Sequence, residues 1–328
     1  MSNLIIFFLV IWSLTSYGQD ESQKNSKSPD IIRFSHVVKR ETPKGIGAQM
    51  FKRLVNNNDK LNQQFRVEVY PEGVLYDDEK VIDALLANKV QLAAPSLSVL
   101  CKRQSDFFCR FDEFYKFKDV KAVDDFQKSD EGQRLLKEEV IGKICSADKT
   151  NCLIGLFYWH NGMKQLSTTK ACPEDKCFFM KEGLTFRIQD SATIKEKFEH
   201  LFKGAKTKYI PFRKTRKSLA DGEVDGQENT WSNILAEEYN QIQNCFIETN
   251  HGYLGYLVLT NQKFWNGLED PVREDLKIIL TEITSKVNEI TNKYNKESYE
   301  QLKKEGKKFI SLTQANLKDC PKSNLTTP

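Results

Sequence analysis

Between Ile31 and Leu97 the chain alternates strand-like and helix-like apolar patterns, and this order restricts its fold more than any other feature. Ile31 to Val38 (IIRFSHVV) is a β-rich run. Thr42-Pro43 then offers a helix start with proline at the first helical position, and Ile46, Met50, Leu54 and Val55 follow at helical spacing. Phe65 to Tyr70 (FRVEVY) alternates apolar and polar side chains, as a half-buried strand does, and Pro71 stops it. Val81, Ile82, Leu85 and Leu86 mark a second helix, and Val90 to Leu97 reads as a short buried strand ending near Pro95. A β-α-β-α-β order predicts a parallel α/β lobe.

Farther on, residues 101–151 are charged and read as mostly helical. Strands are expected at Cys152 to Trp159, at Leu184 to Ile188 after a Gly183 turn, and at Gly252 to Thr260. Ser191 is placed to cap the helix that carries Ile194 and Phe198. The clearest helix starts at Asp270-Pro271 and repeats apolar residues at Val272, Leu276, Ile279, Ile283, Val287, Ile290 and Tyr294, running to about Gly306. A rod of that length suits a coiled-coil arm or a spine between two lobes.

Leu4 to Leu14 (LIIFFLVIWSL) has the length of a signal-peptide core and falls short of the roughly 20 apolar residues that a membrane span needs. No Lys or Arg precedes it, so the charge before it is only the terminal amine; export with cleavage near Gly18 is expected, with an uncleaved anchor as the alternative. Gln19 to Pro29 then reads as a polar linker. In a chain of 328 residues, a formal net charge of +4 lacks the strongly basic stripe of a nucleic-acid binder.

Eight cysteines suit an oxidising compartment. Proximity pairs Cys101 with Cys109, Cys145 with Cys152 and Cys172 with Cys177, leaving Cys245 for Cys320, although eight cysteines permit 105 pairings. Cys172 and Cys177 also resemble half a zinc site, but no second half with matching spacing is present and histidine is scarce.

There is no nucleophile elbow, phosphate loop or zinc-protease helix motif. Asp221 to Asn229 (DGEVDGQEN) holds several carboxylates, conceivable as an acid/base pair, but Gly222 and Gly226 favour a turn. Arg187 lies between Phe186 and Ile188 on a strand, so its side chain projects opposite to theirs. By spacing alone it is an ordinary exposed arginine, or a guanidinium able to hold a carboxylate through two parallel hydrogen bonds. Asn229 ends a glycine-bearing turn and can both donate and accept. Arg213, Lys214, Arg216 and Lys217 make either a solvated helix face or a source of positive potential near a cleft.

Seven segments carry a resemblance, in order along the chain: FSHVVKRETPKG (Phe34 to Gly45), VEVYPEGVLYDDEKVIDAL (Val67 to Leu85), LAAPSLS (Leu92 to Ser98), YWHNGMKQLS (Tyr158 to Ser167), GLTFRIQDS (Gly183 to Ser191), VDGQEN (Val224 to Asn229) and TNHGYLGYLVLTNQKFW (Thr249 to Trp265). The chain resembles the solute-binding subunits of tripartite ATP-independent periplasmic (TRAP) transporters, dicarboxylate-type branch, from about Ile31 to Gly306. The resemblance implies an α/β, two-lobe periplasmic-binding fold (type II-like) closing around its ligand, with the Pro271 helix spanning both lobes. Residues 30–167 with 255–294 are expected in one lobe and 168–254 with 295–328 in the other. It also implies that Arg187 clamps a ligand carboxylate, Asn229 contacts the ligand and Phe212 lines the pocket. Lys170 falls where relatives carry a second basic contact, and Tyr253 is a candidate wall residue. His36, Lys44 and Asp78 lie in first-lobe segments that face the cleft.

Departures from the family pattern bear on ligand choice. Arg213-Lys214-Thr215-Arg216 replaces the usual Ser-Glu-Val-Tyr, so Arg216 stands for an aromatic residue near the ligand, and Thr230 stands where proline is usual. The implied function is capture of a C4-dicarboxylate or related organic acid in the periplasm for delivery to a membrane permease. It requires no enzyme activity, cofactor, metal or nucleic acid, and only peripheral contact with a membrane protein. The alternative is a receptor that presents its closed form to a sensor kinase.

Overall fold

A computed structural model describes residues 28–104, 106–137, 140–317 and 319–320. The apolar run Leu4 to Leu14 and most of the linker after it lie outside the described residues. The first half contains β1 (Asp30–Ser35), α1 (Pro43–Asn56), β2 (Phe65–Tyr70), α2 (Lys80–Leu86), β3 (Leu92–Ala93), α3 (Leu97–Gln104), α4 (Asp106–Cys109), α5 (Val120–Lys128) and α6 (Asp130–Leu136). There follow β4 (Leu153–Thr168), α7 (Phe178–Lys181), β5 (Thr185–Ile188), α8 (Ala192–Leu201), β6 (Lys206–Tyr209), α9 (Thr215–Ala220), β7 (Gly226–Asn229) and α10 (Trp231–Ala236). The last elements are β8 (Cys245–Asn261), α11 (Gln262–Trp265), α12 (Asp270–Lys304), β9 (Lys308–Ser311) and α13 (Gln314–Leu317).

The strands join in the order β2-β1-β3-β8-β4-β7-β5-β6, with β9 also on β8. β1 pairs in parallel with β2 and β3, and β5 in parallel with β6 and β7. Parallel pairing needs crossover connections, which α1, α2 and α8 supply. Each helix begins where local chemistry allows: Thr42 Oγ1 accepts the Gly45 N–H at the start of α1, and Ser191 Oγ accepts the Ile194 N–H at the start of α8. Between the groups run β4 and β8, antiparallel strands of 16 and 17 residues. Their register shifts three times, between Gly155 and Phe157, His160 and Gly162, and Lys164 and Leu166. Such bulges bend and twist the strands as they pass from one lobe to the other.

Each lobe has its own apolar interior. The first gathers Phe34, Phe51, Trp159 and Leu276 in one cluster, and Ile82, Leu85, Phe108 and Leu257 in another. The second gathers Phe179, Phe186, Phe198 and Ile247, with Ile210, Tyr239, Phe246 and Leu302 beside them. Helix α12 enters both, through Val272 to Val287 in the first lobe and Leu302 in the second. The fold is therefore a two-lobe α/β structure with a spanning helix, as the family resemblance implies, and the long helix is a spine and not a coiled-coil arm. Glu269, rather than Asp270, occupies the cap position of α12; Asp270 sits in the first turn, where a carboxylate favours the helix dipole.

Four disulfides close the structure. Cys101–Cys109 and Cys145–Cys152 are the proximity pairs, but Cys172 joins Cys245 and Cys177 joins Cys320. The expected Cys172–Cys177 and Cys245–Cys320 pairs are thus exchanged. Sheet register explains one of them, because Thr168 at the end of β4 lies opposite Cys245 at the start of β8. Among the described residues no helix is long and apolar enough to cross a membrane.

Candidate functional site

The carboxyl ends of both parallel strand groups open on one crevice, the usual place for a ligand in an open α/β sheet. Beyond β1 come Val37 and Val38, beyond β2 the segment that carries Asp77 and Asp78, and beyond β3 Ser96 and Ser98. From the other lobe come Arg187 and Gln189 at the end of β5, Pro211 and Phe212 after β6, and Asn229 closing β7. They enclose a cavity of about 260 Å³, with a small recess of about 20 Å³ beneath it. A volume of this order sits at the lower edge of the roughly 300–1,000 Å³ usual for small-molecule pockets.

Strand alternation sets Arg187. Phe186 enters the second-lobe core, so Arg187 turns toward the cavity and is only 3 % exposed. Its Nε donates to Ile210 O at 2.8 Å, and the guanidinium carbon lies 5.9 Å from the centre of the Phe212 ring. Burial lowers its affinity for the proton, while Tyr239, Glu228 and Asp78 act in the opposite direction. The arrangement orients a guanidinium without spending its terminal nitrogens on a carboxylate.

Below it lies a buried charged row. Lys164 Nζ donates to Glu228 Oε1 at 2.9 Å, and His251 Nε2 meets Glu228 Oε2 at 3.0 Å. Burial opposes ionisation of Glu228, but the Lys164 charge and the His251 contact prevail and hold its carboxyl at about 2. Burial lowers the pKa of His251, so its ring is neutral and Nε2–H donates to the carboxylate, while Nδ1 faces Thr249 Oγ1 at 2.6 Å. The row supplies a rigid, internally neutral floor.

Residues of the two lobes also meet directly. Gln189 Nε2 donates to Ser96 Oγ at 3.0 Å, and Ser98 Oγ lies 3.3 Å from Gln189 Oε1. Asp112 accepts from Ser98 Oγ at 2.6 Å and from Ser191 Oγ at 2.7 Å, and Lys102 pairs with Asp190. The lobes are therefore closed on one another along the α3 side of the cleft.

Of the residues singled out from the sequence, Arg187, Phe212, Asn229 and Asp78 line the cavity or its recess. Asn229 Oδ1 accepts from Thr230 N and Asn233 Nδ2, which fixes its amide orientation. Lys44 lies behind the wall: its Nζ donates to Ala94 O at 3.0 Å and stands 3.6 Å above the ring of Tyr256, a recess residue. Burial pulls Lys44 down to about 8, against the nearby Asp78 charge. His36 is buried beside Phe34, with neither ring nitrogen hydrogen-bonded, and burial together with Lys44 holds it down to about 3. Three others lie apart from the lining. Lys170 pairs with Asp225 at 3.1 Å, Arg216 Nη2 donates to Gln241 Oε1 at 2.8 Å, and the Tyr253 hydroxyl lies 2.6 Å from His160 Nδ1.

Gln189, Ser96, Lys164 and Tyr256 also line the site and were not singled out from the sequence. Gln189 carries a legible signal, since it follows Arg187 by two, one residue past the end of β5, and continues the same alternation. The Asp221 to Glu228 carboxylates do not form an acid/base pair: Asp221 and Glu223 are exposed and bound to Lys217 and Lys208, while Glu228 is buried in the floor. Among the described residues no cluster of three or more acidic, His or Cys side chains is arranged to hold a metal.

Comparison with known proteins places this geometry among relatives. Residues 34–326 match the family model described as bacterial extracellular solute-binding protein, family 7. The C4-dicarboxylate-binding periplasmic protein DctP of Vibrio cholerae is 41% identical over 266 residues, which cover 80% of this chain and 74% of that protein. A TRAP periplasmic solute-binding protein of Pseudomonas aeruginosa, solved with bound L-malate, superposes with a TM-score of 0.78 at 36% identity, covering 88% of this chain and 96% of its own. A corresponding protein of Shewanella oneidensis, solved with bound succinate, gives 0.79 at 33% identity, covering 88% and 90%.

Proposed function

Because the chain belongs to the bacterial extracellular solute-binding proteins of family 7, we propose that its cleft captures a C4-dicarboxylate or related small organic acid by clamping one carboxylate on Arg187. One observation carries this reading: a guanidinium 3 % exposed, held by a backbone carbonyl through Nε, lines a cavity between two lobes. Relatives solved with malate and succinate support the ligand class. Phe212 and Asn229 complete the second-lobe wall, and Asp78 faces them from the first.

Capture requires no bond-making, only differential affinity of the closed form for the acid. The bodies that move are residues 30–167 with 255–294 against 168–254 with 295–317, joined through β4, β8 and α12. The chain is exported by its Leu4 to Leu14 signal, which is cleaved, and works in the periplasm, where the closed form delivers its acid to a TRAP membrane permease.

Titration calorimetry with succinate and L-malate tests the clamp. Arg187→Ala removes the cation and weakens binding by about 2–5 kcal/mol. Arg187→Lys also loses most of the affinity, because an ammonium cannot reproduce two parallel hydrogen bonds. Unchanged affinity in the alanine variant removes Arg187 from the site.

A further inference from the structure

The charges around the cavity are unequally committed. Lys102 is paired with Asp190. Arg103 Nη2 donates to Asp83 Oδ2 at 2.9 Å and lies 3.4 Å from Glu79 O. Arg187 is held through Nε by Ile210 O. Arg213 is the fourth cation of the lining, and among the described residues it has neither an ion pair nor a hydrogen bond.

Arg213 is nevertheless placed. It follows Phe212 in the short turn after β6, and it lines the same cavity as Arg187, whose guanidinium lies over the Phe212 ring. Its aliphatic stem lies against the first lobe, since a Cβ built on Gly73 would stand 3.8 Å from Arg213 Cδ. Gly73 has φ +66, a conformation that glycine adopts without strain, which keeps the turn bare where the arginine stem passes. Arg213 therefore reaches across the mouth of the cleft.

The first-lobe wall carries both signs, and its cations Lys102 and Arg103 are already engaged by Asp190 and Asp83. Asp77, Asp78 and Glu79 line the cavity from the first lobe. A dianion enclosed there finds its unengaged cations on the second-lobe side, Arg187 for one end and Arg213 for the other. A monoanion satisfies Arg187 and leaves Arg213 unused.

We propose that Arg213 receives the second anionic group of the ligand and so makes the cleft selective for dicarboxylates over monocarboxylates. This rests on the Arg187 clamp proposed above and extends it to the far end of the same ligand.

The test compares succinate with butyrate, which keeps the four-carbon chain and lacks one carboxylate. Calorimetry is run on the wild type, Arg213→Met and Arg213→Lys, with circular-dichroism melts to establish that each is folded. Methionine keeps an apolar stem against Gly73 and removes the charge. Succinate affinity should fall about tenfold in Arg213→Met, a charge-assisted hydrogen bond lost at a solvated rim, while butyrate affinity holds. Arg213→Lys should recover much of the loss. Succinate binding that survives Arg213→Met, or an equal loss for both acids, overturns the inference and leaves the clamp standing. Wild-type protein that binds neither acid overturns the clamp, and the inference falls with it.

Discussion

Lys164, Glu228 and His251 show what single residues contribute beneath the cleft. Glu228 is fully enclosed, and both carboxylate oxygens are used, one by Lys164 and one by His251. Replacing it with glutamine keeps the shape but strands the Lys164 charge in the interior. Glu228→Gln should lower unfolding stability at pH 7 by about 3–5 kcal/mol, measured by urea denaturation. The pH dependence has a definite sign. The folded carboxyl lies at about 2 against an ordinary 4.5, so its stabilisation is complete above about pH 4.5 and disappears as pH falls through 2. The gap between wild type and variant should close over that window; a gap that stays constant shows that the charge is not its cause. His36 adds to acid lability, because a ring held down to about 3 instead of 6.5 must be charged on unfolding as pH drops. At this scale strand alternation gave the direction of the Arg187 side chain, while its role at a ligand came only from the family resemblance. The Lys164–Glu228 pair was not legible, because it depends on β4 and β7 aligning Leu166 with Glu228 across a long stretch of intervening chain.

Among elements, α12 most clearly joins sequence to architecture. Its apolar repeat from Val272 to Val287 is buried against the first lobe, but Ile290 and Tyr294 are not fully buried, and Thr291 and Ser298 take the inward positions instead. Hydrophobic periodicity could not show this, because the helix there crosses from one lobe to the other and fastens to strands by polar groups. Asn288 Oδ1 accepts the His160 N–H at 2.8 Å, and Asn295 Nδ2 donates to Asn161 O at 2.7 Å, at the β4 register shift. Asn295 Oδ1 also accepts the Ser232 N–H of α10, tying the helix to the second lobe. Where α1 packs on α12, space is minimal: a Cβ on Gly47 would stand 2.6 Å from Val287 Cγ2 and 3.0 Å from Trp159. An exposed helical Gly→Ala change gains about 1 kcal/mol in helix propensity. Here overpacking outweighs it, and Gly47→Ala should destabilise by about 1–3 kcal/mol net. In a Val287→Ala background the same change should cost less, and equal costs in the two backgrounds would show that the contact is not what excludes alanine.

At the scale of the molecule, the lobes share one sheet and one long helix, so closure is a bending of continuous elements against contacts that form only across the cleft. One such contact carries a titratable group at the seam. Glu237, just after α10 in the second lobe, faces Lys39 and Glu72 of the first, with Glu238 beside it. Burial raises it to about 7, with Glu72 and Glu238 adding to the rise and Lys39 opposing it. Because the folded value lies above the ordinary 4.5, the folded protein holds this proton more tightly than the unfolded chain does. Its stabilisation is complete below about pH 4.5 and is lost as pH rises through 7. Glutamine cannot ionise and can still accept from the Lys39 backbone, so Glu237→Gln should leave the melting temperature near wild type at pH 5 and raise it at pH 8. A variant that melts with the wild type at both values would mean that the seam relaxes to solvate the carboxylate, and that closure is insensitive to charge at this point.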